Sequence, residues 1–111
     1  MLLWCLRYPA MMSGSPNQPG FVCLVIALAM ATAPLLAFML LAKGSDPVHP
    51  RAMGAALGAA AGAWGALGIG LHCPYAFPAH VALGHVLPVL LLAGIGALAG
   101  GRLVGVRAQA D

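Results

Sequence analysis

The sequence predicts an all-α, polytopic membrane protein with three transmembrane helices that pack through faces rich in glycine and alanine. Hydrophobic residues make up 62% of the 111-residue chain and charged residues only 6%, whereas about a quarter of a soluble domain is charged. Long stretches without Asp, Glu, Lys or Arg also alternate with short segments that hold the charges. Apolar stretches of about 20 residues are long enough to cross a hydrocarbon core as helices.

The pattern divides the chain into three regions. Residues 1–19 hold a short apolar stretch and then Ser, Gly, Pro and Asn, which are turn residues. We predict that they form an outward-facing lead-in segment. Residues 20–105 are the predicted three-helix transmembrane domain, and residues 106–111 are a predicted cytoplasmic tail. Both the lead-in and the tail are too short to form a domain of their own.

The first predicted helix covers residues 20–42, which carry no charge. Pro34 lies in its middle and is expected to bend it, because proline removes one backbone hydrogen bond. A cleaved signal peptide is the competing interpretation, since Ala31-Thr32-Ala33 resembles a small-residue cleavage site. The apolar stretch continues beyond Pro34 to Leu41, which favours a retained transmembrane helix.

The second and third helices are predicted over residues 52–71 and 80–101. Glycine in such numbers would oppose a helix in water, but in lipid the backbone must satisfy its own hydrogen bonds, so a helix is still expected. Small residues spaced four apart let helices approach closely. The second helix is therefore predicted to be the central packing element. The predicted packing glycines are Gly54, Gly58, Gly62, Gly96 and Gly100.

The distribution of basic residues predicts the orientation. The loop after the first helix carries Lys43 and Arg51, and the region after the third carries Arg102 and Arg107. The connector between the second and third helices has neither Lys nor Arg. By the positive-inside rule the loop and the carboxyl terminus are cytoplasmic. The connector, which contains Cys73, then faces outward, into the periplasm if the membrane is the inner membrane of a bacterium.

Cys23 and Cys73 are the first candidate functional residues. Cys23 lies near the outer end of the first helix and Cys73 just beyond the outer end of the second, so both thiols are expected near one membrane face. His72 adjoins Cys73. Such thiols could form a disulfide in an oxidising compartment. Alternatively, with histidine, they could bind a soft or borderline metal such as zinc, cadmium or copper.

His80 and His85 are possible additional metal ligands. They are five positions apart, which places them off a common stripe of an α-helix. An ionisable residue within a span, as His85 is, suggests a functional role, although His85 could equally hydrogen-bond a neighbouring helix. The competing interpretation of both cysteines is that they are small hydrophobic packing residues.

The composition also argues against several functions. The acids are limited to Asp46 and Asp111, and no nucleophile–base set or phosphate-binding loop is visible. An enzyme is therefore not expected. The net charge of +3 comes from five scattered basic residues, which is too sparse for nucleic-acid binding. The lipid bilayer is the expected environment, and small-residue faces also suit a homo- or hetero-oligomer.

Several motifs occur in a fixed order along the chain. They are Cys23-Leu24 with Ile26 opening a helix, a helix rich in Gly and Ala, Leu71-His72-Cys73-Pro74, the Gly-x-x-Leu-Pro core from Gly84 to Pro88, and a Gly-Gly-Arg-Leu exit. Together they resemble the NrsF family of bacterial inner-membrane anti-sigma factors. The resemblance covers roughly residues 20–105. Family members have about six transmembrane helices, so the chain is expected to be a truncated member that corresponds to the carboxyl-terminal half.

The resemblance implies a function and a partner. Cys23 and Cys73 would be paired periplasmic sensor cysteines that respond to heavy-metal or oxidative stress and relax the hold on an extracytoplasmic-function sigma factor. Family members hold that factor through a cytoplasmic amino-terminal part. Two alternatives stay open. One is a small helical subunit of a membrane complex or transporter with no sensing role. The other is a membrane remnant without an independent role.

Overall fold

The computed structural model describes residues 20–45, 48–75 and 77–103, and these form a bundle of three long helices. Helix α1 runs from Phe21–Ala42 and helix α2 from Pro50–Gly70. The predicted lead-in segment, the tail and Cys5 lie outside the described residues. Pro34, which we expected to bend the first helix, lies inside α1.

The third helix, α3, is continuous but changes its hydrogen-bonding pattern along its length. It begins with the turn Pro78–Val81, continues through a π-helical segment, Ala82–Val86, and proceeds as α-helix over Leu87–Leu103. The ends of the three predicted spans therefore differ from the observed ends by no more than two residues.

Prolines mark two of the helix starts. Pro50 and Pro78 each occupy the first helical turn of their helix, where the missing N–H would have had no intrahelical partner. The loop between α1 and α2 turns at Gly44, which has a φ of 112°. Residues with a Cβ atom rarely adopt this left-handed conformation, whereas glycine does so at no steric cost. Sequence signals of this kind explain why the helix ends were predictable.

Large and small side chains are distributed in the opposite sense to a soluble protein. Large apolar residues such as Leu40 and Leu41 are exposed, whereas several of the fully buried positions are alanines such as Ala27 and Ala61. All three helices are long and apolar enough to cross a bilayer, the third over Pro78–Arg102. Exposed apolar side chains of this size suit contact with lipid rather than water.

The interface between α2 and α3 is built on backbone contact. A Cβ atom added at Gly54 would overlap the carbonyl of Gly96, and one added at Gly58 would overlap the carbonyl of Leu92. A Cβ at Gly62 would lie 2.7 Å from Cα of Val89. These positions admit no side chain, so glycine is required there by close approach.

Helix α1 packs mainly on another face of α2. Gly65 of α2 lies against the carbonyl of Ala27, and Ala31 and Ala61 form a small core with Leu92 of α3. Helix α2 thus lies between the other two helices for most of the bundle. Helix α1 meets α3 chiefly at the π segment, where Gly20 and Gly84 are in backbone contact.

The π segment has a cause in the sequence. Pro88 lies two residues beyond its end and is fully buried. In a regular α-helix the ring of Pro88 would clash with the carbonyl of Gly84, four residues earlier, and could not hydrogen-bond it. A turn that closes over five residues instead of four relieves this conflict. Such π turns are rare in proteins, and those that occur are often found at functional sites.

Candidate metal and thiol site

Cys73 is fixed by the way α2 ends. The backbone N–H groups of His72 and Cys73 both donate to the carbonyl of Ile69, at 3.0 and 2.9 Å. The chain therefore makes one tight turn after Gly70 and places Cys73 immediately beyond the helix. The Cys73 side chain is 8% exposed, and its thiol can donate to the carbonyl of Tyr75 at 3.7 Å.

Cys23 approaches Cys73 from the first turn of α1. The two Sγ atoms lie 3.6 Å apart and belong to free thiols. The contact depends on a glycine, because a Cβ at Gly84 would lie 2.9 Å from the Cβ of Cys23. The sequence predicts both thiols near one membrane face, and the structure brings them into direct contact.

His80 makes the second close contact of Cys73. Its Nε2 lies 3.1 Å from the Cys73 Sγ, and its side chain is 3% exposed. The rings of Tyr75 and Phe77, both in the connector, have centroids 5.4 and 5.3 Å from that of His80. Sequence reasoning did not single out these two aromatic residues, although their position just before His80 could have suggested that they cover it.

His85 lies beside His80, with 5.7 Å between the ring centroids. The expectation that the two histidines do not share a stripe is wrong here, because the π segment, Ala82–Val86, begins between them and includes His85. A π turn closes over five residues, so residues five apart come to lie roughly one turn apart. The sequence signal for the π turn, and so for the approach of His80 to His85, is Pro88, four residues after Gly84.

The His85 ring has one partnered and one unpartnered nitrogen. Its Nδ1 lies 3.4 Å from the carbonyl oxygen of Ala66 in α2, a long hydrogen bond in which Nδ1–H donates. Its Nε2 is buried and has no hydrogen-bond partner. The whole side chain is 5% exposed. A buried polar atom without a partner is uncommon in native proteins and calls for an explanation.

Together these residues form what we call the Cys/His cluster: Cys23, Cys73, His80 and His85. One ligand atom from each side chain lies within 4.8 Å of all the others. The four residues come from α1, the connector and two turns of α3, so only the folded bundle assembles them. Two thiols and two imidazoles are donors that zinc-type and other soft or borderline ions prefer.

His72 lies apart from the Cys/His cluster. It is exposed, and its Nδ1 lies 3.1 Å from the carbonyl of Gly68. Its ring therefore continues the end of α2 instead of pointing at the thiols. The predicted packing glycines instead line the α2–α3 interface, where a Cβ at Gly100 would overlap the carbonyl of Pro50.

The NrsF family model, described as "Negative regulator of sigma F", matches residues 2–105. The chain belongs to the NrsF family. The match extends further towards the amino terminus than the resemblance over residues 20–105 and includes Cys5. No curated protein and no solved structure matches the chain. The family description is that of a regulator of a sigma factor, which places the chain among regulatory proteins.

Proposed function

We propose that this NrsF-family chain is a membrane-embedded anti-sigma regulator that senses metal or oxidative stress through Cys23 and Cys73. The observation that carries the proposal is the 3.6 Å separation of their Sγ atoms. One thiol comes from α1 and the other from the connector after α2, so a bond or a shared ion between them ties α1 to the connector. A chemical event at one end of the bundle thereby changes how its helices are held together.

Two chemical events fit the pair. A peroxide can take two electrons and two protons from the thiols, so that one S–S bond forms while the O–O bond of the peroxide breaks and its oxygens leave as water or as water and an alcohol. A soft metal ion can instead displace the thiol protons and bind both sulfurs. Oxidation requires the sulfurs to move together from 3.6 Å, whereas a shared ion fits close to that separation.

The proposed orientation is supported by the placement of charge. Within the described residues, the exposed cations Lys43 and Arg51 lie in or next to the loop between α1 and α2, and Arg102 lies near the end of α3. The Cys/His cluster lies at the opposite end. By the positive-inside rule the cationic end faces the cytoplasm of a bacterial inner membrane and the cluster faces the periplasm.

The proposed partner is a sigma factor on the cytoplasmic side. The family description supplies the class of partner, and the orientation places the sensor and the partner on opposite membrane faces. A signal must then pass along the helices. The glycine contacts between α2 and α3 form a rigid link, since their backbones touch and cannot slide without steric conflict.

The alternative of a packing subunit with no sensing role is less well supported. It requires glycine faces that are available to a larger partner. Gly54, Gly58 and Gly62 are instead buried against α3 of the same chain. Gly94 is an open position, with nothing within 4 Å of an added Cβ. A single open glycine in the described parts of the helices is a small basis for a packing interface.

The thiol state in membranes tests the proposal. The full chain is expressed in a bacterial inner membrane, exposed to cadmium or a mild oxidant, and then alkylated with a mass tag. We expect both thiols to react at rest and to be protected together after treatment, while Cys23→Ser and Cys73→Ser each abolish protection of the remaining thiol. Independent reaction of the two thiols would refute the sensor role.

A further inference from the structure

We propose that His80 and His85 complete a closed, four-coordinate site with Cys23 and Cys73 that binds one divalent, zinc-type ion. The inference rests on the proposed role of the cysteine pair and assigns the chemical class of its signal. A pair of sensor cysteines needs no histidine for oxidation. The structure nevertheless brings two buried imidazoles to the thiols, with all four ligand atoms within 4.8 Å of one another.

The distances suit a tetrahedral ion. With metal–sulfur and metal–nitrogen bonds of about 2.3 and 2.0 Å, ligand atoms around zinc lie roughly 3.3–3.8 Å apart. The Cys23 and Cys73 sulfurs are 3.6 Å apart, and Nε2 of His80 is 3.1 Å from the Cys73 sulfur. Small rotations of the side chains would therefore bring these donors to bonding geometry.

His85 has the tautomer that a ligand requires. When Nδ1–H donates to the Ala66 carbonyl at 3.4 Å, the proton is on Nδ1 and the lone pair is on Nε2. Metal-binding histidines commonly donate their other ring N–H to a backbone carbonyl in this way. The buried Nε2 without a hydrogen-bond partner is then explained as the atom that binds the ion.

Charge balance selects the ion. Two thiolates and two neutral imidazoles carry two negative charges, which one divalent cation neutralises. A buried site near a membrane surface must be close to neutral, because an uncompensated charge there is costly. A monovalent copper ion would leave a net negative charge, and Mg²⁺ and Ca²⁺ prefer oxygen donors. Zn²⁺ and Cd²⁺ satisfy both requirements.

The protein side of the site is also closed. Four protein donors leave no open coordination position, which is typical of zinc sites that hold structure and not of catalytic ones. Tyr75 and Phe77 flank His80 and cover the site from the connector. Binding joins α1, the connector and α3, and it releases the two thiol protons.

Metal titration of the full chain tests the inference. The reduced protein in lipid nanodiscs is titrated with Co²⁺ as an optical probe and then with Zn²⁺ in competition. We expect one ion per chain, the strong ligand-field bands of tetrahedral Co²⁺ with thiolate charge transfer, and release of about two protons per ion. His80→Gln and His85→Gln should each weaken binding by about 100-fold or more, since even outer-shell changes cost 10–100-fold.

His72→Gln is the matched control, because His72 is an exposed histidine one residue from Cys73. We expect it to change affinity by less than about 3-fold, below the 10-fold seen for outer-shell partners. Circular dichroism verifies that each variant stays helical. X-ray absorption of the zinc-loaded wild-type protein is a second measurement that needs no variant, and the expected shell is two sulfur and two nitrogen donors.

The outcomes separate this inference from the proposed function. Wild-type affinity in both His80→Gln and His85→Gln, or an absorption shell without nitrogen, would overturn the four-ligand site while a cysteine-only sensor remained. Absence of metal binding together with joint oxidation of the thiols would also overturn it and leave an oxidant sensor. Thiols that neither bind metal nor react together would remove both proposals.

Discussion

The glycine-packed part of the α2–α3 interface and the end that holds the Cys/His cluster are packed in different ways. Around Gly54 and Gly96 the two backbones touch and no side chain intervenes. At the end that holds the Cys/His cluster, the α-helical pattern gives way to the π segment, and the space holds sulfur and imidazole groups. The first region gives the helices a fixed distance, and the second places reactive groups at a junction of three elements.

The contrast shows how a small membrane bundle accommodates polar groups. Close glycine packing needs no polar side chain, because in lipid the helices associate through van der Waals contact. A polar cluster must instead satisfy its donors and acceptors or bind a ligand. The two regions are adjacent in α3, and Pro88 lies at the boundary between them.

The largest expected effect is on the glycine region. Gly58→Ala places a Cβ on the Leu92 carbonyl, and neither backbone can yield without separating the helices. We expect a loss of about 3 kcal/mol in the free energy of unfolding, at the upper end of overpacking effects. Equilibrium unfolding in mixed micelles with increasing SDS measures it.

Gly94→Ala is the matched control, because nothing lies within 4 Å of its added Cβ. It should change the free energy of unfolding by less than about 1 kcal/mol, the difference in helix propensity between glycine and alanine. Equal effects at Gly58 and Gly94 would contradict the assignment of Gly58 to a backbone contact.

The second-largest effect is expected at Gly84, where a substitution should change both the helix packing and the thiol pair. Gly84→Ala places a Cβ 2.9 Å from Cys23 Cβ and 3.0 Å from the Gly20 carbonyl oxygen. We expect a loss of about 1–3 kcal/mol in stability and a slower disulfide cross-link between Cys23 and Cys73, since α1 is pushed away. Cross-linking rates on a non-reducing gel measure the second effect. A rate equal to that of the wild type would show that Gly84 does not set the thiol separation.

Changes to the length of the π segment are expected to affect the stability of the bundle least and metal binding at the Cys/His cluster most. Deletion of Ala82 combined with Pro88→Ala, which removes the clash with the Gly84 carbonyl, leaves His80 and His85 four apart in a regular α-helix, where they still share a face. We expect Co²⁺ affinity to stay within about 10-fold, the lower end of outer-shell effects. Insertion of one alanine after Ala82 rotates His80 by about 100° and should abolish tetrahedral Co²⁺ binding. The reverse order of affinities would show that the π segment does not set the histidine register.

The helices and their packing faces were largely predictable because their signals are local. Charge-free stretches, Pro50 and Gly44 are read directly from the chain, and membrane helices must satisfy their backbones internally. The spacing of Gly54, Gly58 and Gly62 indicated a close contact, although it did not identify Leu92 as one of the residues that would meet it.

The site was only partly predictable because its members meet through tertiary structure. The sequence brought Cys23 and Cys73 to one membrane face through helix length and antiparallel order. It placed His72 with them, since it adjoins Cys73 in the chain, and the structure turns His72 towards the Gly68 carbonyl. Neighbours in sequence separate at the end of a helix because each residue turns the side chain by about 100°.

The sequence by itself determined that this is an apolar, three-helix chain with cations towards one end and the thiols of Cys23 and Cys73 towards the other. Those properties depend on local features of the chain, namely its hydropathy, its glycine spacing and its charge. The tertiary structure decided that His80 and His85 face the thiols and that His85 keeps a buried nitrogen free. That arrangement depends on a π turn before Pro88 and on the contact of Gly20 with Gly84, which arise only when all three helices pack together.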